Sequence, residues 1–248
     1  MKAVTSKEEI DAAVTKAMKR QSNVVKQEKA LNPHTFLEPM ERDDVWNHIY
    51  TSHKLTELSF KRPDVVKTVR SAIEADLSRV SSPLVVTGGL HCGKTWLCAQ
   101  MESALREKAK VVTRFCGLTQ LTSTLGKLVR GLSKQLYAMF GSPILPPKVE
   151  RCDADDCADL FRDVLTAAAK RSDGGIVVVL DGMDKLSSDI EDISDFLHFL
   201  EDAIPCNVSL VVSFRSSGDS ESQLSTTKDL AMLLLKSAKK SNGKYNVY

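Results

Sequence analysis

The stretch Gly88-Gly89-Leu90-His91-Cys92-Gly93-Lys94-Thr95 decides the fold of this chain. It matches the phosphate-binding pattern G-x-x-x-x-G-K-[ST] at every fixed position. The glycines allow backbone N–H groups to turn inward around phosphate oxygens, and Lys94 supplies a positive charge for the outer phosphates. The Thr95 hydroxyl is suited to bind Mg²⁺. We expect these eight residues to form the binding loop of a nucleoside triphosphate.

The residues on both sides of the loop have the arrangement that such a loop requires. Residues 83–87 are apolar and β-branched, which is typical of a buried strand, and Leu97, Met101 and Leu105 then repeat at helical spacing. A helix that begins at the loop directs its positive N-terminal end at a bound phosphate. The alternative, a chance glycine-rich turn, accounts for neither flanking element.

Composition narrows the class of protein. The 248 residues allow one large domain, or one domain with an appendage, and 42% are apolar, as in ordinary globular proteins. The formal charge of +2 gives no reason to expect nucleic acid as an obligate partner. The purely apolar runs 176–180 and 230–235 are both far too short to cross a membrane. Six cysteines show no C-x-x-C pair and no metal-ligand spacing, so we expect reduced thiols and a cytoplasmic protein.

Strands and helices are predicted to alternate along the chain. After the loop, strands are expected at 110–115, 176–180 and 208–214. This alternation predicts the three-layer α/β/α sandwich of a P-loop NTPase, with a mostly parallel sheet. We assign this domain to residues 55–248 and a helical N-terminal extension to residues 1–54. Helices are indicated by a capping pattern at 6–9, a start at Pro63, a leucine stripe from Leu121 to Leu136, apolar positions 160–168, a cap at 188–191 and an apolar run at 230–235.

Asp181 directly follows the apolar strand 176–180. In an α/β sheet, ligands bind beyond the carboxyl ends of the strands, so this carboxylate is expected beside the loop. There it could hold Mg²⁺ opposite Thr95. An Asp that merely begins a turn is the alternative, because Asp-Gly is common in turns.

Three further residues are candidates for the chemistry. Asp184 is the nearest acid that could orient a water molecule, although it could equally cap a helix or contact the metal shell. Arg215 ends the strand 208–214, where a guanidinium could sense the outermost phosphate; the alternative is an ordinary surface arginine. His91 could contact phosphate or simply occupy a tolerant position of the loop. The candidate catalytic residues are therefore Lys94, Asp184 and Arg215.

With these motifs, the chain resembles the NACHT group of STAND-class P-loop NTPases, and within it the nephrocystin-3 and WD-repeat-containing NACHT proteins. The resemblance rests on three stretches: Val-Val-Val-Leu-Asp181-Gly182-Met-Asp184, the strand ending at Arg215, and the residues from Arg114 to Leu125. The resemblance implies ATP and ADP as ligands, with Mg²⁺. It also implies a fragment of a longer protein, truncated at its C-terminus, whose protein partners bind through N-terminal or missing regions.

The expected function is a Mg²⁺-dependent ATP-binding regulatory switch with slow hydrolysis. The alternative is a scaffold that binds nucleotide without turnover, which is favoured by Gly182 in place of a glutamate and by Lys185 where the family often has an acid. A third alternative is an initiator-type AAA+ ATPase that acts on DNA. GTP is a less expected ligand than ATP, because no Asn-Lys-x-Asp motif follows the loop. Copies of the chain could also associate with one another.

Overall fold

Four runs rich in apolar and β-branched residues form one parallel sheet in the computed structural model, which describes residues 37–57, 62–78, 83–105, 107–140, 157–188, 190–200 and 204–215. The strands lie in the order β1-β4-β3-β2, and every pairing between neighbours is parallel. The elements follow along the chain as α1 (Pro39–Glu57), α2 (Pro63–Asp76), β1 (Leu84–Gly88), α3 (Lys94–Leu105), β2 (Ala109–Phe115), α4 (Leu125–Phe140), α5 (Cys157–Ala169), β3 (Gly175–Asp181), α6 (Ile190–Leu200) and β4 (Val208–Arg215).

Helices cover both faces of this sheet, because successive residues of a buried strand point to opposite sides. In β3, Val177 and Val179 pack with the apolar residues of α2 and α3, whereas Val178 and Leu180 pack with those of α4, α5 and α6. All seven residues of β3 are buried. The α/β three-layer sandwich with a parallel sheet that the sequence predicts is therefore confirmed.

One local prediction differs from the structure. The helix predicted from Leu121 begins four residues later, and Leu121 itself lies in a short 3-10 turn, Gln120–Thr122. The cause is Thr124, whose carbonyl oxygen accepts the first helical hydrogen bond, from the N–H of Leu128 at 3.0 Å. Ser188, in the stretch 188–191 where the sequence indicates a cap for α6, accepts a hydrogen bond from the N–H of Leu125 at 2.7 Å and so contacts the first residue of α4. Residue 189, which precedes α6, lies outside the described residues. The patterns at 6–9 and 230–235, and the C-terminal end of the chain, lie outside the described residues.

Helix α1 is anchored to the sheet by a buried ion pair. Arg114, at the end of the edge strand β2, is 1% exposed and donates to Oδ2 of Asp44 at 3.0 Å. The hydroxyl of Thr119 also donates to Asp44. His48, one turn further along α1, accepts a hydrogen bond at its Nδ1 from the N–H of Phe115 at 3.1 Å. Helix α1 therefore belongs to the packed core, and it runs without a break across positions 54 and 55.

The charges of this pair are maintained despite burial. Burial alone would raise the pKa of Asp44, but His48, Arg114 and Thr119 together outweigh it and hold that pKa below its ordinary value. Burial lowers the pKa of Arg114 to about 10, against the opposing influence of Asp44. Both groups are thus charged at neutral pH, and each neutralises the other in a region from which water is excluded.

Replacing Asp44 by Asn is expected to lower the free energy of unfolding by about 3–5 kcal/mol, because the buried Arg114 then lacks a counter-charge. Urea unfolding followed by far-UV circular dichroism measures the change. Asp43→Asn is the matched control, since Asp43 is the exposed neighbour on the same helix, and its effect should stay within about 0.5 kcal/mol. Equal effects of the two substitutions would contradict a structural role for the pair.

His48 should make stability depend on pH. Burial lowers the pKa of His48 below its ordinary 6.5; the charge of Arg114 acts in the same direction, and Asp44 opposes both. As pH falls below about 6.5, the unfolded chain takes up a proton at this histidine before the folded chain does, so the free energy of unfolding decreases. Asp44, with its lowered pKa, adds a loss only at more acidic pH.

The slope of stability between pH 7 and pH 5 should therefore flatten in His48→Gln, which removes the titrating group and keeps an acceptor for the N–H of Phe115. His53→Gln, at a half-exposed position of the same helix, should keep the slope of the unsubstituted chain. Urea unfolding at several pH values measures both, and an unchanged slope in His48→Gln would refute the assignment.

Candidate functional site

The predicted phosphate loop forms a turn between β1 and α3. Its first residue, Gly88, ends β1, and Lys94 and Thr95 form the first turn of α3. Within the turn, φ is +59° at His91 and +95° at Gly93, values at which the backbone reverses direction. The carbonyl of Gly93 then accepts the helical hydrogen bond from Leu97 at 2.9 Å. Residues 89–93 are all exposed, so their backbone N–H groups are accessible to a ligand.

The Lys94 side chain folds back over this turn. Its Nζ donates to the carbonyl oxygens of Gly88 at 2.7 Å and Gly89 at 2.8 Å, and it lies 3.6 Å from Sγ of Cys92. These contacts hold the ammonium group at the opening of the loop. The positive charge is thus positioned where an anionic ligand would enter.

Asp181 ends β3 and is 1% exposed. Its Oδ1 accepts a hydrogen bond from the Ser213 hydroxyl at 2.6 Å, and the same hydroxyl oxygen accepts the N–H of Gly182 at 2.9 Å. Ser213 therefore fixes both the orientation of the carboxylate and the backbone that follows it. Sequence reasoning missed this residue; its signal is a polar side chain inside an apolar buried strand, which requires a partner.

The second oxygen of Asp181, Oδ2, is buried and has no hydrogen-bond partner among the described residues. A buried carboxylate oxygen without a donor or cation is energetically unfavourable. The neighbouring Cys98 adds no second negative charge, because burial, together with the Asp181 carboxylate, raises the pKa of its thiol well above the ordinary value. Asp181 therefore fits the role of an oxygen ligand for a cation such as Mg²⁺.

Metal binding here would require oxygens from outside the protein. Within the described ranges, no cluster of three or more His, Cys, Asp or Glu could hold an ion. A magnesium ion keeps several waters and is usually bound by one or two protein oxygens together with substrate phosphates. Asp181 supplies one oxygen of the kind that this pattern requires, and Thr95 lies in the first turn of α3, directly after the loop.

Arg215 and Asp184 meet at the same edge of the sheet. The register of β1 and β4 places Arg215 opposite Gly88, the first residue of the loop. Oδ1 of Asp184 accepts a hydrogen bond from the backbone N–H of Arg215 at 3.0 Å, and the Arg215 residue is exposed. The structure thus brings the loop, Asp181, Asp184 and Arg215 together at the carboxyl ends of β1, β3 and β4. Asp184 supports the end of β4 through one of its oxygens.

Gly182 has a conformation that favours glycine. Its φ of +75° lies in the left-handed region, and a Cβ added there would lie 3.0 Å from Cε of Lys185. The stem of Lys185 therefore covers the position that a side chain at 182 would occupy. This geometry explains in physical terms why a small residue follows Asp181.

In the part of the chain that the structure describes, no helix is both long and apolar enough to span a membrane.

Comparison with known proteins gives one family match and several distant similarities. The model of the family described as "Nephrocystin 3, N-terminal" matches residues 67–215. The mouse NACHT domain- and WD repeat-containing protein 1 is 28% identical over 149 residues, and its human counterpart is 27% identical over 150; each match covers 58% of this chain. The chain spans about 10% of the length of these curated relatives.

Solved structures with a similar fold include two complexes with DNA. One is the Drosophila ORC bound to AT-rich DNA and Cdc6, with a TM-score of 0.45 and 10% identity, covering 85% of this chain and 61% of that one. The other is the Aeropyrum pernix ORC1 protein in complex with DNA, with a TM-score of 0.46 and 14% identity, covering 78% and 46%. Similarity at this level supports no functional conclusion.

Substitution of Gly182 and of Gly89 should show whether the positive φ at position 182 limits which residue is tolerated there. Gly182→Ala is expected to lower the free energy of unfolding by about 1–2 kcal/mol, because an L-residue is strained at positive φ. Gly89→Ala is the control, since a Cβ there meets nothing within 4 Å, and its effect should stay within about 0.5 kcal/mol. Urea unfolding of both variants measures the difference; equal losses would show that φ at 182 is not the constraint.

Proposed function

The chain belongs to the nephrocystin 3 N-terminal family, and on that premise we propose that it binds ATP with Mg²⁺ and acts as a regulatory switch with slow hydrolysis. The membership confirms the resemblance that the motifs indicate, and the chain is of the α/β P-loop NTPase class. One observation carries the proposal: the buried Asp181 presents an unpartnered oxygen at the sheet edge where the phosphate loop also lies.

The residues of the site have separate roles in this proposal. The backbone N–H groups of the loop surround the phosphates, aided by the N-terminus of α3, and Lys94 neutralises the outer oxygens. Thr95 and Asp181 would hold Mg²⁺, which supplies positive charge to the phosphate oxygens when bound. Ser213 keeps Asp181 in the orientation that this requires.

The end of β4 is the element that would distinguish ATP from ADP. Arg215 lies beside the first loop residue, and its guanidinium can make two hydrogen bonds to the oxygens of an outermost phosphate. Asp184 accepts a hydrogen bond from the backbone N–H of Arg215. A movement of Arg215 that follows a change in its guanidinium contacts would therefore also move the segment 182–185. Loss of that phosphate would release the contact and alter the position of regions that follow β4.

The slow ATP hydrolysis in this proposal follows from the positions of the acidic residues near the loop. Gly182 offers no carboxylate directly after Asp181, and the stem of Lys185 covers its position. Asp184 remains the candidate to orient the attacking water, but one of its oxygens already accepts the N–H of Arg215. A catalytic carboxylate must be free to reach the water from which it takes a proton.

The same observations favour a second candidate function, a scaffold that binds nucleotide and does not hydrolyse it. The two functions share every binding residue and differ only in the use of Asp184. We also propose a cytoplasmic location, on the basis of cysteines that are all free thiols among the described residues, and protein partners that bind through the N-terminal region.

Mg-ATP and Mg-ADP should each raise the melting temperature of the chain, and Mg-GTP should raise it less. Saturation at about 100 times the dissociation constant corresponds to about 2.7 kcal/mol of added stability. Lys94→Ala should abolish the shift, whereas Lys170→Ala, at an exposed position just after α5, should keep it. Arg215→Ala should weaken ATP binding more than ADP binding. Unchanged melting with every nucleotide would refute nucleotide binding.

Single-turnover hydrolysis then separates the switch from the scaffold. The switch predicts slow release of phosphate that is faster than in Lys94→Ala and is reduced in Asp184→Asn. A rate equal to that of Lys94→Ala, in a chain whose melting temperature responds to ATP, would establish the scaffold instead.

A further inference from the structure

A groove with a volume of about 260 Å³ lies between α1 and α4, beside the edge strand β2. No residue of the phosphate loop contributes to it. One part of its lining is apolar and includes Leu37, Leu121 and Met40, which is 61% exposed. The other part is basic and is formed by Lys127, Arg130 and Lys134 of α4.

The charges that line the groove do not cancel. Its two carboxylates are both engaged, because Glu41 pairs with Lys134 at 2.6 Å and Asp44 with Arg114 at 3.0 Å. Lys127 and Arg130 have no ion pair within the described ranges. Nε of Arg130 is buried without a hydrogen-bond partner there. The groove therefore presents two uncompensated cations, which favours an anionic occupant.

Gly131 adds an independent observation. It lies in the middle of α4 and lines the groove, and a Cβ added to it would meet nothing within 4 Å. Glycine inside a helix is destabilising relative to alanine, and usually a close approach or a positive φ requires it. No described residue makes such a demand here. The absent side chain instead leaves room in the groove next to Arg130.

The size and lining of the groove restrict the class of occupant. Its volume lies below the roughly 300–1,000 Å³ of small-molecule sites, so it suits a few side chains better than a cofactor. The apolar part offers nothing to inorganic phosphate. A nucleic acid would require a broader basic surface than two free cations on a chain of net charge +2.

We propose that the groove between α1 and α4 binds an acidic peptide segment of a partner protein. An apolar side chain of the peptide lies against Leu37, Met40 and Leu121, and its carboxylates pair with Lys127 and Arg130. Charge complementarity selects the partner, and the space beside Gly131 accepts the peptide backbone. This site is separate from the phosphate loop and does not depend on nucleotide binding.

Selection from a phage-displayed library of random peptides on the full chain tests the proposal. The expected result is a consensus with acidic residues on either side of an apolar residue. The synthetic consensus peptide should bind with an affinity that falls at least about tenfold in Lys127→Glu/Arg130→Glu, measured by fluorescence anisotropy. Lys170→Glu is the control for charge reversal at an exposed lysine away from the groove and should bind normally.

Gly131 distinguishes a binding role from a structural one. Gly131→Ala should raise the melting temperature, because alanine favours the helix, and at the same time weaken peptide binding, because the new methyl group enters the groove. Gly131→Leu should abolish binding. Full peptide affinity in Gly131→Leu would overturn the proposed placement of the peptide.

Several results would refute an acidic peptide as the occupant. In the first, the peptides selected on the unsubstituted chain share no consensus of acidic residues around an apolar one. In the second, the double variant binds the consensus peptide as tightly as the unsubstituted chain does. Tighter binding of duplex DNA that is lost in the double variant would assign the groove to nucleic acid. Self-association that is lost in the same variant, without peptide binding, would assign it to a second copy of the chain.

Discussion

The parallel pairing of β4 between β1 and β3 is the constraint on which the rest of the structure depends. It places the ends of three strands that are distant in sequence at one edge of the sheet. The pairing of β1 with β4 sets Arg215 beside Gly88, and the proximity of β4 to β3 allows Ser213 to hold Asp181. A slip of one residue in either pairing would turn these side chains to the opposite face and separate the site.

The elements of the sheet could be predicted from the sequence because each depends on its own residues. Strand β3 is a continuous apolar run, and the loop before α3 has fixed spacing, so local pattern alone identifies both. The role of Ser213 could not be predicted in this way. A serine in a strand gains its partner from the neighbouring strand, and the order of strands is a property of the whole fold.

The buried ion pair that attaches α1 could not be predicted from the sequence for a related reason. Charged residues in a helix or at a strand end usually indicate a solvated surface, and here Asp44 and Arg114 are both buried. Each is favourable only because the other is present, and they are distant along the chain. Sequence patterns evaluate residues one at a time. They cannot identify two buried charges that are stable only as a pair.

Helix α1 also bears on how such a module can be moved between proteins. The family model matches the chain only from residue 67, after this helix, whereas Asp44 and the acceptor for the N–H of Phe115 lie within the helix. A gene fusion that joined a foreign sequence just before α2 would leave the guanidinium of Arg114 and the backbone N–H of Phe115 without their partners in α1. The transferable unit is therefore longer than the inherited signature, and a viable recombination point must lie upstream of Asp44.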